Sequence, residues 1–286
     1  MDLSLVICTR NRGQYLWETL QSLTKVQGNV EWELVVVDNG STDNTGEILN
    51  RFRRQFPHPF GIVYEPIPGL GRARNSGWRT THGPIVAFTD DDCYPSADYF
   101  HKILECFERD EISFVGGRVL LHDQTDYPIT IQMLERSMEL LPGDFVTPGL
   151  IQGANFAFRR SALERVNGFD DRMGAGTPFA CEDIDILARL LANGLRGIYS
   201  PRPLIYHHHR RKNVAEVSRL VKIYDHGRGA YYAKCLLSPA LRKVYARNWY
   251  WQACNQSFLT TVREVLGAIH FLCRPPFADS PKTACL

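Results

Sequence analysis

Residues 85–92 read Ile85-Val86-Ala87-Phe88-Thr89-Asp90-Asp91-Asp92, an apolar run that passes directly into three acids. A short continuous apolar run entered through Gly83-Pro84 reads as a strand buried on both faces, the kind that parallel sheets contain. The acids then lie at a strand's carboxyl end, where open α/β sheets hold their ligands. Working toward the N-terminus, Arg72 to Thr80 reads as a helix behind the stretch Pro68-Gly69-Leu70-Gly71, and Ile62 to Tyr64 as a strand. Thr45 to Phe56 places Ile48, Leu49 and Phe52 on one helical side and stops before Pro57, with Ser41 or Asp43 available as a cap. Glu33 to Val37 is a nearly all-apolar strand, Tyr15 to Leu23 repeats Leu16, Leu20 and Leu23 at helical spacing, and Leu3 to Cys8 is the first strand. This alternation predicts βαβ units: an α/β fold with a mostly parallel sheet flanked by helices.

Downstream, residues 113–206 mix short strands and loops with one well-marked helix beginning near Glu182-Asp183, and Leu204-Ile205-Tyr206 reads as a strand. Beyond Val214 the pattern is helical without strand signals. The expected organisation is an α/β domain over 1–212 and a C-terminal helical extension over 213–286, whose end from Arg274-Pro275-Pro276 reads as mobile. With 286 residues, 44% hydrophobic and 22% charged, the chain is neither disordered nor fibrous. A net charge of +2 with scattered basic residues does not suggest a nucleic-acid partner. The start lacks a signal-peptide pattern and no apolar run approaches membrane-spanning length, so the expected location is cytoplasmic. The eight cysteines include no C-x-x-C pair, which argues against a zinc ribbon and for reduced, small buried groups.

Several side chains carry chemistry. Asp90 and Asp92 direct oxygens to one side of an extended segment and Asp91 to the other, and two carboxylates held together call for a hard cation such as Mg²⁺ or Mn²⁺. A solvated acidic turn is the plainer reading of such a triplet. Glu182-Asp183 at a helix start is held ionised by the dipole, either as ordinary capping or, beside an activated substrate, with Asp183 as a general base. Of His207-His208-His209, alternation sends His207 and His209 to one face, and one imidazole, His207 by preference, can complete the metal site. Gly69 to Asn75 combines glycines with Arg72 and Arg74, which suit phosphate, yet it follows neither the Walker A nor the dinucleotide-binding pattern. Asp38 ends the second strand, where it accepts from a base or ribose or else forms an Asx turn.

Taken in order, Ser4 to Arg12, Val36 to Asp43, Gly71 to Gly77, Ala87 to Asp92, Gly153 to Arg160, Gly168-Phe169-Asp170 and Glu182 to Asp185 resemble the family-2 glycosyltransferases, a group of GT-A enzymes. The resemblance spans roughly residues 3 to 210 and implies a GT-A type, Rossmann-like sheet. It implies that Thr9, Arg10, Arg12 and Asp38 embrace the nucleotide, with Arg74 near the base or diphosphate. Asp90 and Asp92 form the D-x-D element, touching ribose and metal respectively, with Asp91 also on the nucleotide side and the metal, Mn²⁺ or Mg²⁺, joined by His207. Asp183 becomes the catalytic base and Glu182 helps hold the acceptor. The implied reaction is inverting transfer from a UDP-, dTDP- or GDP-sugar to an acceptor hydroxyl. Two other readings remain at this stage: a nucleotidyltransferase acting on sugar phosphates, which the Glu182-Asp183 pair disfavours, and a non-catalytic GT-A-like binding subunit, which the intact acids disfavour. The tail after residue 212 lies outside the resemblance. Its aromatic and basic residues, Trp249 and Trp251 among them, suit core packing first, and otherwise a homodimer or contact with the inner face of a membrane.

Overall fold

The computed structural model describes residues 1–274; the segment beyond Arg274 that reads as a mobile end lies outside the described residues. The N-terminal third is the expected alternation: β1 (Leu3–Thr9), α1 (Gly13–Leu23), β2 (Trp32–Asp38), α2 (Thr45–Arg53), β3 (Phe60–Tyr64), α3 (Leu70–Trp78) and β4 (Ile85–Asp90). Helix α2 ends earlier than its apolar pattern, because the Gln55 amide already bonds back to the Phe52 carbonyl in a tighter turn. Helix α3 begins two residues ahead of its expected start, directly after Gly69, whose φ of 150° is open to glycine. There follow β5 (Cys93–Pro95), α4 (Tyr99–Cys106), β6 (Ile112–Leu121), β7 (Met138–Leu140), β8 (Phe156–Arg159), α5 (Arg160–Arg165), α6 (Glu182–Ala192) and β9 (Arg196–His207). Three helices close the described chain: α7 (Val214–Leu237), α8 (Arg242–Asn255) and α9 (Phe258–Cys273).

All the strands form one sheet in the order β3-β2-β1-β4-β8-β6-β9-β5, with β7 paired to β9. Strands β1 to β4 are mutually parallel, β8 runs antiparallel between β4 and β6, and β6 and β9 form a second long parallel ladder. The sheet is thus mixed but mostly parallel, as its buried, two-sided strands require.

Period-two alternation sorts each strand into two cores. Val6, Val35, Val37, Val86 and Phe88 face one side, under α3, α6 and α7, while Leu5, Ile7, Leu34, Val36 and Ala87 face the other, under α1, α2 and α4. Helix α3 can lie this close only because Gly77 has no side chain: a Cβ there would stand 2.6 Å from Val6 Cγ1.

The C-terminal helices pack onto the α/β part, where Ala230, Ala233, Ala268 and Phe271 form a small cluster with Met173 and Phe179. Tyr231, Tyr232, Cys235, Leu241 and Tyr245 belong to the same buried cluster as Val6 and Phe88. Position 212 therefore marks a change from mixed to all-helical structure and not an end of packing. Among the described residues no helix is long and apolar enough to cross a membrane.

Candidate active site

Strand register brings the sequence-distant acids together. Thr9 lies opposite Asp38, and Cys8 opposite Asp90, so β1, β2 and β4 end in one row. The loops beyond them are stitched to each other. Asn11, in the left-handed region at φ 54°, accepts from the Thr42 amide at 2.7 Å. Asp43 accepts from the Gly13 and Thr45 amides at 3.1 and 3.0 Å, so one carboxylate serves the first turns of both α1 and α2. Arg10 is exposed on this turn. Asp38 uses Oδ1 to accept from the Ser41 amide at 2.9 Å, the Asx turn that its sequence position allows.

The acid triplet divides as its alternation predicts. Asp91 turns toward β1, accepting from the Thr9 hydroxyl at 2.6 Å and from Arg12 Nε at 3.2 Å. Asp90, Asp92, Cys93 and His207 offer ligand atoms that all lie within 4.8 Å of one another. Burial pushes the Cys93 thiol well up, so it stays protonated and is a poor partner for a hard cation. Asp90, Asp92 and His207 remain, two carboxylates and one imidazole, a donor set that suits a divalent ion of the Mg²⁺ or Mn²⁺ class.

The orientation of His207 fits that role. Its Nδ1 lies 3.1 Å from the Thr130 carbonyl and Nε2 lies 3.2 Å from Asp92 Oδ1. A carbonyl and a carboxylate both only accept, so without a cation both ring nitrogens carry protons; the Thr130 contact fixes the ring with Nε2 toward the carboxylates, where a bound cation would take the place of the Nε2 proton, the outer-partner arrangement typical of metal-binding histidines. Burial tends to raise the Asp92 acid, but the hydrogen bond and charge of His207, with Arg12, outweigh it and hold the group at about 2. For Asp91 burial prevails over Arg12 and raises it to about 6; Asp90 is raised for the same reason, against the pull of Arg74.

Arg74 joins this cluster to Glu182 and Asp183. It is 2% exposed, donates to Glu182 Oε1 at 2.7 Å and to the Gly153 carbonyl at 3.1 Å, and stands 3.4 Å from Asp90. Its guanidinium also lies over the Phe156 and Phe169 rings. The Gly153 amide in turn donates to Asp183 Oδ2 at 3.1 Å. Cys181, just ahead of these acids, is held at φ 136°, a conformation L-residues rarely adopt. Burial, with the neighbouring Glu182 charge, raises Asp183 to about 6 against Arg74.

The sequence pattern of glycosyl transferase family 2 matches residues 4–166. The chain belongs to this family. Among its relatives, an uncharacterized glycosyltransferase of Nostoc sp. is 28% identical over 178 residues, 59% of this chain and 54% of the relative. A pre-mycofactocin glycosyltransferase of Mycobacterium tuberculosis is 27% identical over 223 residues, 73% of this chain and 43% of the relative. The chain thus spans about half the length of the curated relatives it matches. Similar in fold are a mannosyltransferase from Pyrobaculum calidifontis solved with GDP-Man and Mn²⁺ (TM-score 0.66, 18% identity, 95% of this chain and 87% of that one) and residues 1–349 of S. aureus TarS solved with UDP-GlcNAc (TM-score 0.67, 17% identity, 95% and 81%).

For this family-2 chain the structure gathers Thr9, Arg12, Asp90, Asp91, Asp92 and His207 into one contact network, while Arg74, Glu182 and Asp183 form its second half. The resemblance puts Arg74 at the base or diphosphate and Glu182 at the acceptor; in the structure each of their charged ends is buried against the other. The sequence reading passed over Cys93, the Thr130 carbonyl and the carbonyl and amide of Gly153 as contributors. Gly153 opens the stretch Gly153 to Arg160, and its lack of a side chain is what admits Arg74: a Cβ would lie 2.7 Å from Arg74 Nη2. His209 does not join the metal cluster; its Nε2 is 3.0 Å from the Tyr127 carbonyl.

Proposed function

We propose that this chain is an inverting, metal-dependent glycosyltransferase that moves a sugar from a nucleoside diphosphate to an acceptor hydroxyl. The observation that carries the reading is the pairing of two partly buried acid sites across Arg74. One is the cation-suited set Asp90, Asp92 and His207; the other is Asp183, whose acid is held near neutrality at about 6. A base must be ionised yet able to keep a proton, and that value suits both demands. Asp183 takes the proton from the acceptor hydroxyl as that oxygen bonds to the anomeric carbon, and the nucleoside diphosphate leaves from the opposite face. Bound Mn²⁺ or Mg²⁺ supplies charge stabilisation for the departing diphosphate.

The remaining residues position. Asp38 and the Thr9–Arg12 turn, at the carboxyl ends of β2 and β1, flank the place for the nucleotide. Arg74 and Glu182 act from behind, fixing Asp90 and the Gly153 turn, and through that turn Asp183. The solved neighbours contain GDP-Man and UDP-GlcNAc, so UDP, dTDP and GDP donors are tested together. Calorimetry with UDP, dTDP, GDP and CDP, with and without Mn²⁺, should show metal-dependent binding of one nucleotide that Asp92→Ala abolishes. Failure of a folded wild-type chain to bind any of them would sink the proposal. Pyrophosphate release from a sugar phosphate and a nucleoside triphosphate would assign nucleotidyl transfer instead.

A further inference from the structure

Helix α9 is turned with its charges inward. Glu264 is fully buried between Arg228 Nε and Trp249 Nε1, both at 2.9 Å, and Arg263 reaches inward to Asp225 at 3.0 Å. The opposite side carries Phe258, Leu259, Val265, Leu266, Ile269 and Leu272, whose exposures run from 42% at Val265 to 80% at Phe258. At 100° per residue these six fall within one continuous arc, which also includes Val262 and Cys273 and contains no polar side chain. A soluble surface rarely leaves such a stripe to water. Tyr250 and Trp251, in the second half of α8, are exposed as well, at 75% and 64%.

The exposed charge on these C-terminal helices is almost all of one sign. Arg242, Lys243 and Arg247 on α8 and Arg274 after α9 are exposed, and neither α8 nor the outer side of α9 carries an acid. Of the acids between residues 213 and 274, Asp225 and Glu264 are buried in ion pairs, which leaves Glu216 as the one at the surface.

We propose that the outer side of α9 is a membrane-docking face that lies in the headgroup region of an anionic phospholipid surface, to which the exposed basic residues of the C-terminal helices are attracted. An apolar helical face, interfacial Trp and Tyr and unopposed basic residues are together what such a surface accommodates. A second copy meets the charge pattern badly, since a twofold contact through this region sets like charges near like. Docking of this face requires no glycosyl transfer.

The test is co-sedimentation of the full chain with vesicles of phosphatidylcholine alone and of phosphatidylcholine with phosphatidylglycerol at about 2:1. Wild type should sediment with the anionic vesicles, and far less with the neutral ones or at high salt. Leu266→Glu with Ile269→Glu should abolish binding, while the thermal midpoint stays within a few degrees because both side chains already face water. Arg242→Ala, Lys243→Ala and Arg247→Ala should each weaken binding by roughly fivefold. Absence of wild-type binding, or binding unchanged by the double substitution, would overturn the assignment. So would a concentration-dependent dimer, seen by analytical ultracentrifugation and dispersed by that double substitution, which would give the face to a second copy of the chain.

Discussion

Asp183 is where the proposed chemistry is most exposed to measurement. Burial and the Glu182 charge raise its acid to about 6, above the ordinary carboxylate range, and Arg74 restrains the rise. A raised carboxylate is protonated below that value and ionised above it, so the base should be disabled as pH falls. We expect kcat/KM to decline on the acid side with an apparent pKa near 6, and Asp183→Asn to lower turnover by roughly 10²–10⁴-fold while leaving nucleotide binding intact. A variant with near-normal turnover would remove Asp183 from the role. The same shift makes ionisation of Asp183 unfavourable in the folded state, so its contribution to stability diminishes as pH rises from the unfolded value through about 6. His207→Ala should weaken Mn²⁺ binding, read by calorimetry, by at least the roughly 10–100-fold that loss of a metal ligand's outer partner costs. The carboxylates and the histidine were legible in the sequence because their chemistry resides in side chains at a strand's end. The Thr130 and Gly153 backbone groups were not, since every residue owns a carbonyl and only the folded path shows which one meets an imidazole or a guanidinium.

Helix α3 exists as a functional element because it delivers Arg74 to a place no solvent reaches. Removing one member of a buried pair strands the other, so Arg74→Ala should cost about 3–5 kcal/mol in urea unfolding. Arg74→Lys should recover only part of that, since an ammonium cannot span Glu182 and the Gly153 carbonyl as a planar fork does. Equal stability of wild type and Arg74→Ala would show that the pair is dispensable. A comparable dependence holds between α7 and α9, whose backbones touch: a Cβ on Gly267 would lie 1.9 Å from the His226 carbonyl oxygen. Gly267→Ala should destabilise by about 1–3 kcal/mol through overpacking. Most of the early elements follow from apolar periodicity, and the start of α6 at Glu182 from its acids. Strand β9 was different. Only Leu204 to Tyr206 signals a strand, because Pro201 and Pro203 interrupt the pattern; the structure runs it from Arg196 to His207 by shifting register against β6 between Gly116 and Arg118. Proline's missing donor is tolerated where a ladder is already irregular, a condition set by the partner strand and invisible in the segment itself.

At the scale of the whole molecule, the question is whether the helices after residue 212 are an appendage. Lys234 neutralises Asp170 and Asp185, both at 2.7 Å, and Asp185 is 1% exposed at the heart of α6. The Tyr245 hydroxyl accepts from the Val146 amide at 3.2 Å and shares a hydrogen with the Tyr231 hydroxyl. Backbone contact continues into the acid-bearing loop, since a Cβ on Gly227 would lie 1.7 Å from the Ala180 carbonyl oxygen, two residues ahead of Glu182. Deleting α7 to α9 therefore uncovers one side of the sheet core and the support of the proposed base together. Each large buried side chain contributes about 1.5–3 kcal/mol, and a domain's whole stability is about 5–15 kcal/mol. Losing Tyr231, Tyr232, Leu241 and Tyr245 at once removes an amount comparable to the total. We expect a chain ending at Lys212 to lose its near-ultraviolet circular dichroism and its cooperative urea transition, and to bind hydrophobic dye, while the full chain unfolds in a single step. If the shortened chain instead unfolds cooperatively at the wild-type midpoint, residue 212 is a true domain boundary, and the tyrosines of α7 and α8 cover a core that is stable without them.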